Sequence, residues 1–131
     1  MTFARVYLVD DEKFDRLLYK RVIDRAGMAR ALELFVDGED ALEAVRAAST
    51  LPDLILLDIN MPRMNGFEFL QAVDAQLAAA DPPCIVAILS TSQDPKDKDR
   101  ARQFRSVRHF FTKPLRPEFL MQIAETRARG G

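Results

Sequence analysis

One cysteine and one histidine are all that 131 residues offer as thiolate or imidazole metal ligands, and they do not form a cluster. A tetrahedral zinc site needs several such ligands close together, so zinc is excluded. A single thiol, Cys84, cannot close an internal disulfide. Beside a proline at the start of an apolar run, it reads as a small buried hydrophobe. No apolar run nears the roughly 20 residues that cross a bilayer. The opening MTFARVYLVDDE places acids where a cleavable leader would continue its apolar stretch. Charge of one sign is also missing: 30% of residues are charged, yet the formal net charge is −1. That balance gives no electrostatic basis for a nucleic-acid or membrane-surface partner. Neither a GxGxxG run nor a P-loop is present, and no linker or low-complexity tract divides the chain. The expectation is one cytoplasmic domain over residues 1–131, with a core at 4–127 and a frayed tail at 128–131. A chain of this length can bury one real core.

What is present is alternation. Five short apolar runs recur: VYLV from Val6, ALELFV from Ala31, LILL from Leu54, CIVAIL from Cys84 and VRHFF from Val107. Their length and their Val, Ile, Leu and Phe content suit strands. Between them, residues 14–26, 39–48, 67–79 and 117–127 carry helical spacing. The more polar PKDKDRARQF is a weaker helix that Pro95 starts, and Pro117 fits a first helical position. The pattern predicts a (βα)5 domain with a parallel sheet covered on both faces. Right-handed crossovers make it doubly wound, an α/β three-layer sandwich. On the first helix, Leu18, Tyr19, Val22, Ile23 and Ala26 are expected to face the sheet, whereas Leu17 projects nearly opposite and Phe14 lies off the flank, close to the acid pocket.

The unusual polar residues all fall at strand ends. The first run leads into Asp10 and Asp11, the third into Asp58, the fourth into Ser90 and Thr91, and the fifth into Thr112 and Lys113. Open α/β sheets bind ligands at that edge, where the strand order reverses. If the order is 2-1-3-4-5, the carboxylates of Asp10, Asp11 and Asp58 converge there. Three carboxylates in one crevice repel each other unless a cation joins them. Oxygen-only ligands in an open cluster suit Mg²⁺. A carboxylate can also act as a nucleophile toward phosphorus. Phosphoryl transfer then asks for a metal, a positive charge and a hydroxyl, which Mg²⁺, Lys113 and Ser90 would supply.

LVDDE after the first strand, LLDINMPRMNG at the third, a hydroxyl residue at the fourth and TKPL after the fifth together resemble the receiver domain of two-component response regulators. The likeness spans essentially the whole chain and is closest in plan to the stand-alone, chemotaxis type. It implies the flavodoxin-like fold with strand order 2-1-3-4-5. It also implies that Asp58 is the phosphoacceptor, loaded from a sensor histidine kinase or a histidine phosphotransfer protein. By the same resemblance, Asp11 and Asp58 are direct Mg²⁺ ligands, Asp10 acts through water, and the Asn60 backbone carbonyl adds a third protein oxygen. Ser90 turns toward the phosphoryl group, Lys113 is its counter-charge, and the Lys113–Pro114 bond is cis.

The aromatic switch position is Phe110, where many receivers carry tyrosine. Phe110 can still swing inward as Ser90 moves, coupling the phosphoryl group to the surface of the fourth helix and fifth strand. It lacks the hydroxyl for a partner hydrogen bond. Asn60 and Thr91 flank the acceptor, and the size of Thr91 is expected to shield the attacking water and slow self-dephosphorylation. Phe14 and Leu17 form a docking patch for the kinase on the first helix. The resemblance also brings a downstream protein target and a phosphorylation-dependent homodimer, with no nucleic acid and no membrane.

Two rival readings exist. Aspartate-nucleophile phosphatases need a second carboxylate two residues after the nucleophile, where this chain has Asn60. A scaffold-only pseudo-receiver is at odds with the complete set of acids, hydroxyl and lysine. Pro62 and Gly66 are expected to shape the loop after Asp58, His109 to be partly exposed filler, and Phe111 to be core.

Overall fold

The computed structural model describes residues 2–130. Five strands alternate with five helices: β1 (Phe3–Val9), α1 (Lys13–Ala26), β2 (Ala29–Phe35), α2 (Gly38–Ala47), β3 (Leu54–Leu57), α3 (Gly66–Ala79), β4 (Ile85–Ser90), α4 (Pro95–Ala101), β5 (Val107–Thr112) and α5 (Pro117–Ala128). All strand pairs are parallel, in the order β2-β1-β3-β4-β5. The expected (βα)5 flavodoxin-like sandwich is therefore what the chain forms. Element limits differ from the sequence reading by a few residues, and β2 stops at Phe35, leaving Val36 outside the strand.

Burial explains why the central strands carry unbroken apolar runs. Every residue of β3 and β4 is buried, because helices cover both faces. Leu57 packs with α2, α3 and α4 on one face, in a core holding Tyr7, Val45, Phe69, Leu70 and Ile88. Leu56 packs with α1 and α5 on the other, with Leu8, Tyr19, Ile23 and Leu120. β2, at the edge, has no fully buried residue and exposes Arg30 and Leu34. Local chemistry sets the helix starts. Asp37 caps α2, Asn65 and Glu68 form a reciprocal capping box on α3, and Asp94 caps α4 ahead of Pro95. Cys84 is buried and Phe111 belongs to the core, as their patterns suggested. Among the described residues, no helix is long and apolar enough to cross a membrane.

One expectation for α1 needs correcting. Tyr19 and Ile23 are buried and Val22 partly so, but Leu18 and Ala26 are exposed. The buried arc centres on Tyr19 and Ile23, because α1 lies between α5 and the edge strand β2. Leu18 falls on the open flank of that arc, and Ala26 is the last helical residue before Gly27 turns the chain in a left-handed conformation. Helix α5 runs through Ala128 instead of ending at 127, and Gly131 of the expected tail lies outside the described residues. Two peptide bonds are cis, Asp81–Pro82 and Lys113–Pro114.

Candidate functional site

The crossover from β2 through β1 to β3 puts two strand ends side by side at the carboxyl edge of the sheet. The parallel ladder continues one residue past each end. Asp10 donates its N–H to the Phe35 carbonyl at 3.0 Å, and Asp58 donates to the Val9 carbonyl at 2.9 Å. Both backbones are thereby pinned by main-chain bonds, and one carboxylate oxygen each of Asp10, Asp11 and Asp58 lies within 4.8 Å of the others. Asp10 and Asp58 are buried, and Asp11 is more open. On the next strands, Ser90 ends β4, and Lys113 follows β5 with its N–H on the Ser90 carbonyl at 2.9 Å.

The loop after Asp58 is shaped by close approach. Gly66 donates to the Ile59 carbonyl at 3.1 Å, and a Cβ at position 66 would sit 2.7 Å from the Asp58 carbonyl oxygen. Only glycine fits there without moving backbone. At the loop's far side, Arg63 has a left-handed φ of 64° and pairs with the buried Asp37 carboxylate. Gly38 donates to the Met64 carbonyl at 3.1 Å, so the β2–α2 and β3–α3 loops hold each other. The Asn60 N–H points back to an Asp58 oxygen at 3.3 Å.

Charge in this crevice is lopsided. The Lys113 ammonium lies 2.8 Å from Asp10, 3.0 Å from Asp15 and 3.6 Å from Asp58. Burial pushes Asp58 up to about 7; Lys113 opposes the rise, Asp10 reinforces it, the Asn60 N–H opposes it and Asp11 reinforces it. Burial likewise raises Asp10 despite its bonds to Lys113 and to the Glu12 N–H. For Lys113, burial alone would lower the pKa, but hydrogen bonds to Asp10 and Asp15 and the charge of Asp58 hold it above its ordinary value. One ammonium paired with three carboxylates, with Asp11 beside them, leaves a deficit of positive charge. An all-oxygen donor set of this kind fits a hard divalent cation.

The remaining expected residues occupy distinct places. The Ser90 hydroxyl is buried and accepts the Ser92 N–H at 2.9 Å, whereas Thr91 is exposed. Phe110 pairs across the ladder with Ile88, two residues before Ser90, and is half-buried against the α2–α4 core. It lines a cleft of about 150 Å³ with Lys98, Ala101, Arg102 and Val107. Phe14 and Leu17 are exposed on α1. His109 is half-buried, stacked on Phe111 and bonded to the Thr126 hydroxyl at 2.9 Å. Sequence reading passed over Asp15, whose only signal was an acid four residues before Tyr19 on the buried stripe of α1. It also passed over Ser92, whose hydroxyl donates to Asp97 and ties the β4–α4 loop to α4.

The profile of the response regulator receiver domain family matches residues 6–125. The chain belongs to that family. The chemotaxis protein CheY of Listeria monocytogenes is 29% identical to this receiver over 127 residues, 95% of this chain and 98% of that protein. A probable methanogenesis regulatory protein, FilR2 of Methanothrix harundinacea, is 30% identical over 92% of this chain and 78% of its own. Among solved structures, a two-component response regulator from Cytophaga hutchinsonii superposes with a TM-score of 0.84 at 27% identity, covering 98% of this chain and 99% of that one. The chemotaxis protein CheY4 of Vibrio cholerae does so with a TM-score of 0.76 at 30% identity, covering 95% of this chain and 98% of that one. The receiver is a two-component signalling module. Phosphoacceptance is the role of its family, and the cluster of Asp10, Asp11 and Asp58 fits the phosphorylation site.

Proposed function

We propose that Asp58 takes a phosphoryl group from a phosphohistidine on a sensor histidine kinase or histidine phosphotransfer protein, and that the phosphorylated receiver then binds a downstream protein target. The observation that carries this reading is the convergence of Asp10, Asp11 and Asp58 within 4.8 Å beside the Lys113 ammonium, 3.6 Å from Asp58. A carboxylate oxygen of Asp58 forms the new bond to phosphorus as the bond to the imidazole nitrogen breaks. The electron pair stays on the ring, which takes up a proton from solvent. Asp58 must be deprotonated for this, and the Lys113 charge and the Asn60 N–H both favour that form.

Asp10, Asp11, Asp58 and the Asn60 carbonyl would hold Mg²⁺. When bound, Mg²⁺ neutralises charge on the acceptor and on the phosphoryl oxygens. Lys113 reaches the phosphoryl group from the opposite side. Ser90 gives up its bond from the Ser92 N–H and turns its hydroxyl toward the phosphoryl oxygens. Phe110 follows into the space vacated near Ser90, altering the α4–β5 surface by packing alone, since it has no hydroxyl. Thr91, at the mouth of the site, shields the acyl phosphate from water and lengthens its life. Phe14 and Leu17 give the kinase an apolar footing on α1. The domain changes no outside substrate; self-phosphorylation and slow hydrolysis are its only chemistry, and a phosphorylation-dependent homodimer through the altered surface is part of the same reading.

Intact-mass spectrometry after incubation with acetyl phosphate tests the chemistry. The expected result is a gain of one phosphoryl group that requires Mg²⁺ and is absent in Asp58→Asn. A folded sample that gains nothing with or without Mg²⁺ would instead support a scaffold without a reaction.

A further inference from the structure

We infer that Asp15 is a positioning residue whose carboxylate parks the Lys113 ammonium beside the acid cluster, so that a divalent cation can take Asp10, Asp11 and Asp58 without the lysine competing for them. The inference deepens the reading that these acids hold Mg²⁺ and rests on it.

The geometry assigns unequal partners to Lys113. Its Nζ is 2.8 Å from an Asp10 oxygen and 3.0 Å from an Asp15 oxygen, but 3.6 Å from Asp58. Of these three carboxylates, Asp15 alone lies outside the set whose oxygens converge within 4.8 Å. A cation entering that set, through the water that joins it to Asp10, draws on the same Asp10 lone pairs that now hold the lysine. If Asp10 were the only close partner, losing it would drive the ammonium onto Asp58, the other buried carboxylate within reach. Asp15 offers a third place. An ammonium bonded there stays neutralised, leaves the converging oxygens free, and remains beside Asp58 for a phosphoryl group to meet.

An acid in the first turn of a helix has an ordinary explanation, since it complements the positive end of the helix dipole. That explanation requires no inward orientation. Here the Asp15 side chain is only 25% exposed, and its hydrogen-bond partner lies 98 residues away in sequence. Tyr19, one turn further along α1, is fully buried on the same face, with its ring centre 6.0 Å from the Lys113 nitrogen. Asp15 and Tyr19 together make a wall along which the lysine lies, itself 10% exposed.

A double-mutant cycle on Mg²⁺ binding, read by isothermal titration calorimetry of the unphosphorylated protein, separates this role from a remote charge effect. The expected result is that Asp15→Asn weakens Mg²⁺ binding roughly threefold to fivefold in the parent, as loss of one partly exposed ion-pair partner permits. In a Lys113→Met background the same change should alter affinity less than about twofold, because no ammonium is left to park. Asp15→Glu should retain most of the parent affinity, with far-UV circular dichroism confirming that every variant is folded. Equal weakening in both backgrounds, or no weakening in either, would overturn the inference. Failure of the parent itself to bind Mg²⁺ is a different result, which removes the proposed metal site and this role with it.

Discussion

Asp58 illustrates how burial at a single residue links folding to proton binding. In an unfolded chain a carboxylate loses its proton near pH 4, but in the folded, metal-free receiver burial holds the Asp58 proton up to about 7. Between those values the folded state binds the extra proton, so the contribution of Asp58 to stability is most favourable below the unfolded pKa and declines as pH rises toward 7. Asparagine keeps the shape and cannot titrate. In the presence of a chelator, Asp58→Asn should therefore be more thermostable than the parent at pH 8, with the gap narrowing toward pH 5. Melting curves at the two pH values decide it: a gap independent of pH would mean that ionised Asp58 carries no buried-charge penalty. Gly66 makes a companion point, since its missing side chain lets α3 start against the Asp58 carbonyl oxygen, where a Cβ would sit only 2.7 Å away.

Among the helices, α4 is the shortest and has the fewest buried residues. It has seven residues, a mostly charged sequence and one buried residue, Ala101. Its start is tied down by the Asp94 side chain on the Lys96 N–H at 2.9 Å and by the Ser92 hydroxyl on Asp97. The Ser92 N–H in turn rests on the Ser90 hydroxyl. A chain of three side chains thus connects the end of β4 to the first turn of α4. Short helices with few apolar contacts open readily. Ser92→Ala should raise amide hydrogen exchange in residues 98–101 by roughly threefold or more, comparable to loss of a helix cap, while α3, with its own capping box, keeps its protection. Unchanged exchange in α4 would show that the Asp94 cap alone holds the helix.

At the scale of the whole molecule, one sheet divides two cores that share every strand. Tyr7 reports on the α2–α4 side and Tyr19 on the α1–α5 side, and they are the only tyrosines. Leu57 and Leu56, adjacent on β3, point into the two cores respectively, and both are fully buried. Removing either side chain should cost about 3 kcal/mol, the middle of the range for a buried leucine. Because the strands are common to both cores, Leu56→Ala and Leu57→Ala should each shift the urea transitions of both tyrosines together. Single-tyrosine variants, made with Tyr7→Phe or Tyr19→Phe, let fluorescence follow the two sides separately. Transitions that split in either leucine variant would show two cooperative units where one is expected.

The sequence by itself determined the alternation of strands and helices, the doubly wound class, and the carboxylates, hydroxyl and lysine at the strand ends. Those features are local. Strand and helix periods are written in consecutive residues, and a polar residue that stops an apolar run marks a strand end wherever the strand lies. Tertiary structure alone decided the pairing of Asp15 with Lys113, the clasp between Arg63 and Asp37, and the open placement of Leu18 and Ala26. The pairing of Asp15 joins residues 98 positions apart, a distance over which side-chain spacing carries no information. The exposed arc of α1 depends on its neighbours, α5 and an edge strand, which a single helix's periodicity cannot encode. Helical spacing shows that a face is apolar, but only the packing of other elements decides how wide an arc of that face is covered.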